Sequence, residues 1–313
     1  MRSAEADLLM APDPPQTLAS FDPLADANDR GSGARSYLLL DVFTDTPLTG
    51  NALAVVGDAR ELSGEEMQRV AREMNLSETV FVLPALERGD LRVRIFTPTV
   101  ELPFAGHPVL GCAIAAGAAL ARDRVTLETG AGPVSVVLEP FRGLVGRGRM
   151  QQPIPTWSPF EREAELLAAL GVAGSRLPVE IYDNGPQHVY VALGDERAVA
   201  ALTPEMGALA ALGPVCVSCF AGLGARWKLR MFAPAFGVLE DPATGSAAGP
   251  LAVHLARHGL IGFGDEIEIR QGEEIGRPSL LRALAIGSSE SLEAVEVAGA
   301  AVIVARGLLA PRG

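Results

Sequence analysis

Apolar residues fall along this chain in short runs set off by glycine, proline and small polar residues, with helix-spaced stretches between some of them. The runs at 37–43, 52–56, 80–83 and 91–96 predict buried strands, and Pro47 with Gly50 turns the first into the second. Between the second and third, Ser63 and Glu66 form a capping box ahead of an apolar stripe at Met67, Val70, Ala71 and Met74, so the spacing predicts a helix that Asn75 ends. Residues 109–120 are apolar on nearly every side, the mark of a helix wrapped by sheet. Strand-like runs follow at 125–127, 133–138 and 147–152, and Pro153 with Pro155 marks a boundary. Beyond it, Ser158, Pro159 and Glu161 predict a capped helix running to Gly171. Strands are expected at 188–193 and 215–220, with a short helix between Thr203-Pro204 and Gly213-Pro214. A helix at 247–258 closed by Gly259 comes next, then strands at 266–270, 282–286 and 294–304.

The pattern repeats. Arg94 to Gly111, RIFTPTVELPFAGHPVLG, is answered by Arg230 to Gly249, RMFAPAFGVLEDPATGSAAG. Each copy runs from an Arg-apolar-Phe-x-Pro strand through a loop to a glycine followed by a polar residue, Gly106-His107 or Gly245-Ser246, and then into an apolar helix. Pro108 suits a first helical turn and Ser246 is a candidate N-cap. The expected architecture is α+β: two pseudo-symmetric domains, 36–151 and 152–290, each a curved sheet around a central helix. Residues 291–313 would supply a terminal strand that returns to the first half. Two helix N-termini facing a cleft between the halves would offer free N–H groups and converging dipoles to a small anion.

Composition narrows the options. The chain has 313 residues, 48% hydrophobic and 20% charged, enough for a sizeable core. A net charge of −12 opposes partnership with nucleic acid or an anionic membrane, and no apolar run is long enough to predict a membrane span. Three cysteines do not suggest a disulfide framework, so the cytoplasm is the expected location. Residues 1–35, rich in Ala, Asp and Pro and without a basic start or long apolar middle, read as a disordered extension and not as a secretion signal.

Beside the two turns stand Glu78, His107, Asp241 and Ser246. Read singly, each has an ordinary explanation: a solvated strand-end charge, a loop histidine, a carboxylate complementing a helix dipole, and a cap. His258 would answer its helix dipole and His254 would pack; His188, after Gly185-Pro186, could face the cleft, although a core histidine is the expected reading. Cys112 belongs to the central helix, while Cys216 and Cys219 lie three apart on a strand and so face opposite sides, against a zinc or redox pair. No phosphate-cradling or dinucleotide motif is complete.

Several motifs in order, Asp41-Val42-Phe43-Thr44 with Gly50-Asn51, Asn75-Leu76-Ser77-Glu78-Thr79, Arg94-Ile95-Phe96-Thr97-Pro98, Glu101 to Pro108, Glu240 to Ser246 and Gly276-Arg277-Pro278-Ser279, together resemble the PhzF-like phenazine-biosynthesis family. That resemblance implies the diaminopimelate-epimerase-like fold and a cofactor-independent homodimer without a metal, acting on a small carboxylate-bearing substrate. The founding activity is isomerisation of trans-2,3-dihydro-3-hydroxyanthranilate. It further implies Glu78 as general acid/base, His107 and Asp241 as its catalytic neighbours, and Gly106, Gly245 and Ser246 around the substrate carboxylate, with Asn51 and Arg277 as additional substrate-binding candidates. Epimerisation of an amino-acid-like substrate and non-catalytic carboxylate binding are the alternatives. Diaminopimelate epimerase uses paired cysteines, and neither turn here has one; Ala52 stands where the family commonly has Pro, and the N-terminal extension lies outside the family pattern.

Overall fold

A computed structural model describes residues 34–310, so nearly all of the expected extension lies outside the described residues. The chain begins with β1 (Arg35–Val42), β2 (Asn51–Val56), α1 (Gly64–Met74), β3 (Glu78–Pro84), β4 (Leu91–Phe96), β5 (Glu101–Leu102), α2 (Gly106–Leu120), β6 (Arg124–Thr129), β7 (Gly132–Arg142) and β8 (Val145–Gln152). Then follow β9 (Thr156–Pro159), α3 (Glu163–Leu170), β10 (Glu180–Asp183), β11 (Gln187–Ala192), α4 (Glu196–Ala200), α5 (Met206–Ala210), β12 (Cys216–Leu223), β13 (Arg226–Ala233) and β14 (Val238–Asp241). The chain ends with α6 (Gly245–Arg257), β15 (Ile267–Gln271), β16 (Ser279–Gly287) and the long β17 (Leu292–Leu309).

All the strands join one strand-rich, barrel-like sheet. Pairings run β1 to β2, β3, β4, β6, β7, β8 and β17, and β17 pairs back onto β1, closing a ring. Alternation explains the ring: along β4 the pattern is buried, half-buried, buried, half-buried, as a strand with one face inward requires. Helix α2 touches β1, β2, β3, β6, β7, β8 and β17, and its residues Gly106 to Gly117 are all buried, which accounts for an apolar surface on every side. Burying each Val, Leu or Ile there contributes about 1.5–3 kcal/mol. The second helix, α6, packs on β16, β17 and α2. No helix among the described residues is long and apolar enough to cross a membrane.

Local signals held where backbone chemistry was self-sufficient. Helix α1 carries both arms of the Ser63–Glu66 capping box and ends at Asn75 in the left-handed conformation. They failed where pairing intervened. Ser158 and Pro159, expected to start a helix, lie in β9, with Ser158 opposite Ile181 of β10, and the helix starts at Glu163 without a side-chain cap. The ladder to β10 outweighs a short capping motif.

Candidate active site

Neither α2 nor α6 has a side-chain N-cap, so no capping side chain takes up their first N–H groups, although the Ala247 N–H bonds the Thr244 carbonyl at 3.1 Å. Ser246, the expected cap, sits inside the first turn of α6, and Thr244 occupies the cap position. The two helix starts meet backbone to backbone: a Cβ on Gly106 would lie 2.7 Å from both the Gly245 carbonyl carbon and the Ser246 nitrogen. One on Gly245 would lie 3.1 Å from the His107 nitrogen and 3.0 Å from the Phe43 ring. Glycine is required at Gly106, where main-chain atoms lie under 3 Å from the Cβ position, and a Cβ at Gly245 would be tight. Phe43, at φ 62, holds a left-handed conformation unusual for a bulky residue and props the second turn.

Both helix starts line one cavity of about 320 Å³. Glu78 enters it from the first residue of β3, Asp241 from the last of β14 and His188 from β11. His107 Nδ1 lies 3.3 Å from Glu78 Oε2, and Glu78 Oε2 and His107 Nε2 are buried without a hydrogen-bond partner among the described residues. Burial, then the negative charge of Asp241, holds the Glu78 carboxyl well above the usual carboxylate range. Burial also raises Asp241, to about 6, against the pull of hydrogen bonds that favour its ionised form. Those bonds come from Thr244 Oγ1 at 2.6 Å and Asn51 Nδ2 at 2.9 Å. His107 is pushed down to about 3 by burial and is neutral at physiological pH.

The remaining candidates have other placements. Asn51 is buried and does not line the cavity; it ties Asp241 to the Ala243 carbonyl, 3.0 Å away. Arg277 does not line it either. Its guanidinium donates to Asp41 Oδ1 at 2.6 Å and to the Gly50 carbonyl at 2.8 Å, locking the turn that presents Asn51.

Several buried polar residues that the motifs did not single out hold the start of α6. Gln152 donates to the Gly245 carbonyl at 2.8 Å, Asn184 to the Ser246 carbonyl at 3.0 Å and Tyr190 to the Ala247 carbonyl at 2.6 Å. Gln271 accepts from the Thr244 N–H and donates to the Asp241 carbonyl. A buried glutamine or asparagine on a strand edge was the available sequence signal, but burial is not visible in the sequence. His188 also belongs to the cavity, with its Nε2 3.0 Å from Ser246 Oγ.

Metal or thiol chemistry finds no ready group among the described residues. Glu180, His254 and His258 bring three ligating atoms within 4.8 Å, yet Glu180 Oε2 already accepts from Arg257 at 2.8 Å and from Tyr182 at 3.0 Å. That cluster is an ion-pair hub, and both histidines face Glu180, where a dipole contact and simple packing were expected. Cys216 lines the cavity, but burial, then Asp241 and Glu78, pushes its thiol up to about 12. Cys219 packs in a separate apolar cluster, so the two cysteines do face apart.

Comparison with known proteins bears on this geometry. The family model described as phenazine biosynthesis-like protein matches residues 40–307. The chain is 56% identical over 271 residues to the trans-2,3-dihydro-3-hydroxyanthranilate isomerase of Pseudomonas aeruginosa, covering 87% of this chain and 98% of that one. A solved PhzF-family phenazine biosynthesis protein of Bacillus anthracis superimposes with a TM-score of 0.77 at 26% identity, over 88% of this chain and 99% of the other. A hydroxyproline epimerase of Agrobacterium vitis shares the fold, with a TM-score of 0.62 at 13% identity, over 89% of this chain and 91% of the other.

Proposed function

The chain belongs to the PhzC-PhzF family of phenazine biosynthesis-like proteins and is an isomerase, and we propose that it moves a proton within trans-2,3-dihydro-3-hydroxyanthranilate, with Glu78 as the carrier. The observation that supports this most is the half-buried Glu78, whose Oε2 is buried with no hydrogen bond among the described residues, in a cavity lined by two helix starts.

In this substrate the C3 hydrogen lies next to a diene that ends at C1, the carbon bearing the carboxylate. Removal of the C3 proton spreads the electron pair along five carbons and into the carboxylate. Return of the proton to C1 leaves the enol of a ketone. The step is redox-neutral and conserves every atom, so one carboxyl that accepts and then donates balances it. The facing N–H groups at Gly106-His107 and Gly245-Ser246 would bind the carboxylate and stabilise the charge that flows into it.

Glu78 must be ionised to begin. Burial, then the charge of Asp241, favours its protonated form in the unliganded cavity. The substrate ammonium, set beside Asp241, would neutralise that charge and bring the Glu78 carboxyl down, so binding itself would prepare the base. His107, 3.3 Å from Glu78 and pushed down to about 3 by burial, would not hold the proton that Glu78 gives up on substrate binding but could pass it on toward solvent. Asp241 loses its charge as pH falls through about 6, so kcat/KM should fall with it.

The division into halves 36–151 and 152–290 with a returning terminal strand, each half built around its helix, belongs to the same reading. It is supported by the ring around α2 and by the pairing of β17 with both β1 and β16. Family kinship also supports a cytoplasmic homodimer; light scattering that gave a mass near 32.7 kDa would overturn the dimer. The acidic net charge supports a small-molecule substrate and no nucleic-acid partner.

The test is proton NMR in heavy water with the substrate, comparing wild type with Glu78→Gln. Conversion by the wild type with deuterium at C1 or a retained C3 hydrogen there, and none by the variant, is expected. Unchanged conversion by Glu78→Gln would remove Glu78 from the mechanism.

A further inference from the structure

His188 reaches the cavity from β11 and is fully buried, and it is joined to the second helix start by a single contact, Nε2 to Ser246 Oγ at 3.0 Å. Its other nitrogen, Nδ1, is buried without a partner among the described residues. Nothing in the motif pattern around the two turns includes this residue, which lies on a strand well removed from both in sequence.

We propose that His188 is a positioning residue for substrate binding: it donates from Nε2 to Ser246 Oγ, so that the Ser246 hydroxyl is left to donate its own proton to the substrate carboxylate. This rests on the isomerase reading above and adds to it the source of the hydroxyl's orientation.

The tautomer follows from accounting for each nitrogen. A neutral imidazole carries one proton, and burial, which pushes His188 down to about 3, keeps it neutral. With the proton on Nδ1, a buried N–H would have no acceptor, whereas with the proton on Nε2 the orphan is an acceptor. Orphaned buried donors are the rarer case. Ser246 Oγ then accepts from His188, and its hydrogen turns toward the cavity that it lines. A serine without that neighbour would rotate freely and could spend its proton on main-chain acceptors in the helix. Asn184, in the loop before β11, fixes the Ser246 carbonyl at the same time, so the β10–β11 hairpin holds both the backbone and the side chain of this residue.

The first helix start has no counterpart to this pair. There His107 meets Glu78, and both groups can exchange protons. The second start presents a chain of two neutral donors with a fixed direction. Both turns offer N–H groups to the carboxylate, and only the second adds a side-chain donor of fixed direction.

The test uses calorimetric titration of the full chain with 3-hydroxyanthranilate, the aromatic analogue of the substrate, and with 2-aminophenol, the same ring lacking the carboxylate. His188→Leu should weaken 3-hydroxyanthranilate about tenfold and leave 2-aminophenol unchanged, and His188→Gln, which keeps a donor at similar reach, should recover most of the loss. In a Ser246→Ala background, His188→Leu should cost nothing further. With substrate, the His188→Leu effect should appear in KM more than in kcat. Equal losses for both ligands, or additive losses in the double variant, would overturn the pair and leave the isomerase reading intact. Failure of the wild type to bind 3-hydroxyanthranilate while 2-aminophenol binds would overturn the carboxylate-anchoring role for both.

Discussion

The two helix starts share their parts and differ in what surrounds them. Each has an uncapped first turn, a glycine pressed against the other's backbone, and upstream an arginine that stacks on a phenylalanine and grips a glutamate with two bonds. In the first copy the Arg94–Glu101 pair is partly open to solvent, with side chains 30% and 42% exposed; in the second, Arg230 and Glu240 are 8% and 9% exposed. Arg230 also donates to the carbonyls of Val199, Ala200 and Leu202 around the end of α4. A repeated motif therefore supplies geometry, and the burial around each copy decides whether the same residues carry weight or merely decorate the surface.

The largest effect should come from Glu78→Gln, at a residue that meets the first helix start at His107 from outside the repeat, and it is expected to lower kcat by about 10²–10⁴-fold. It should also raise thermal stability. The folded-state Glu78 carboxyl lies above its ordinary value, so its protonated form favours folding below the unfolded value and that contribution is lost as pH rises through the folded one. The Tm advantage of Glu78→Gln over wild type should accordingly be small at pH 4 and grow toward neutral pH. A constant or shrinking difference would mean that Glu78 is held ionised. Ser246→Ala, in the other turn, carries no titration and should show no such pH trend.

Arg230→Ala comes next. It strands Glu240 without its buried partner and frees three carbonyls, and it should destabilise the protein by about 3–5 kcal/mol in denaturant unfolding. Gly106→Ala follows, at about 1–3 kcal/mol, because its new Cβ must push main-chain atoms of the other helix start apart. It should also weaken carboxylate binding, since the two sets of N–H groups would no longer converge. Gly174→Ala is the control for added volume, since nothing lies near its Cβ position and its φ is not positive; it should leave both stability and binding nearly unchanged.

Much of the scaffold was legible in the sequence. The capping box of α1, the all-round apolar α2 and the two glycine turns follow from local spacing plus the repeat, whereas the grouping of Glu78, His107 and Asp241 was implied only by the family resemblance. What escaped notice depended on long-range placement. The place of His188 after Gly185-Pro186 allows it to face the cleft, but its contact with Ser246 depends on how β11 packs against α6, which no local pattern encodes. Gln152, Asn184, Tyr190 and Gln271 reach α6 from four separate segments for the same reason. Arg277, a lining candidate, turned out to be committed to Asp41, and an ion pair between residues that far apart in sequence becomes visible only with the fold. The helix misplaced at Ser158 shows the converse, a sound local motif overruled by a neighbouring strand.

The smallest effect is the most exacting test of the contrast. Arg94→Ala removes the same two charged bonds, at 2.7 and 2.6 Å, and the same stacking, 5.1 Å from the Phe96 ring, as its counterpart loses in the second copy. Geometry alone would predict similar costs. But Glu101 is left where water can reach it, and the ordering of two long side chains offsets much of the attraction, so the loss should be about 0–1 kcal/mol. The two variants should also part company in salt. Raising ionic strength toward 1 M shortens the screening length to about 3 Å and should erase most of the Arg94→Ala effect, whereas the Arg230→Ala effect should persist because ions do not enter around a buried pair. Denaturant midpoints of both variants at low and high salt would decide it: equal costs, or equal salt dependence, would show that burial does not divide the two copies.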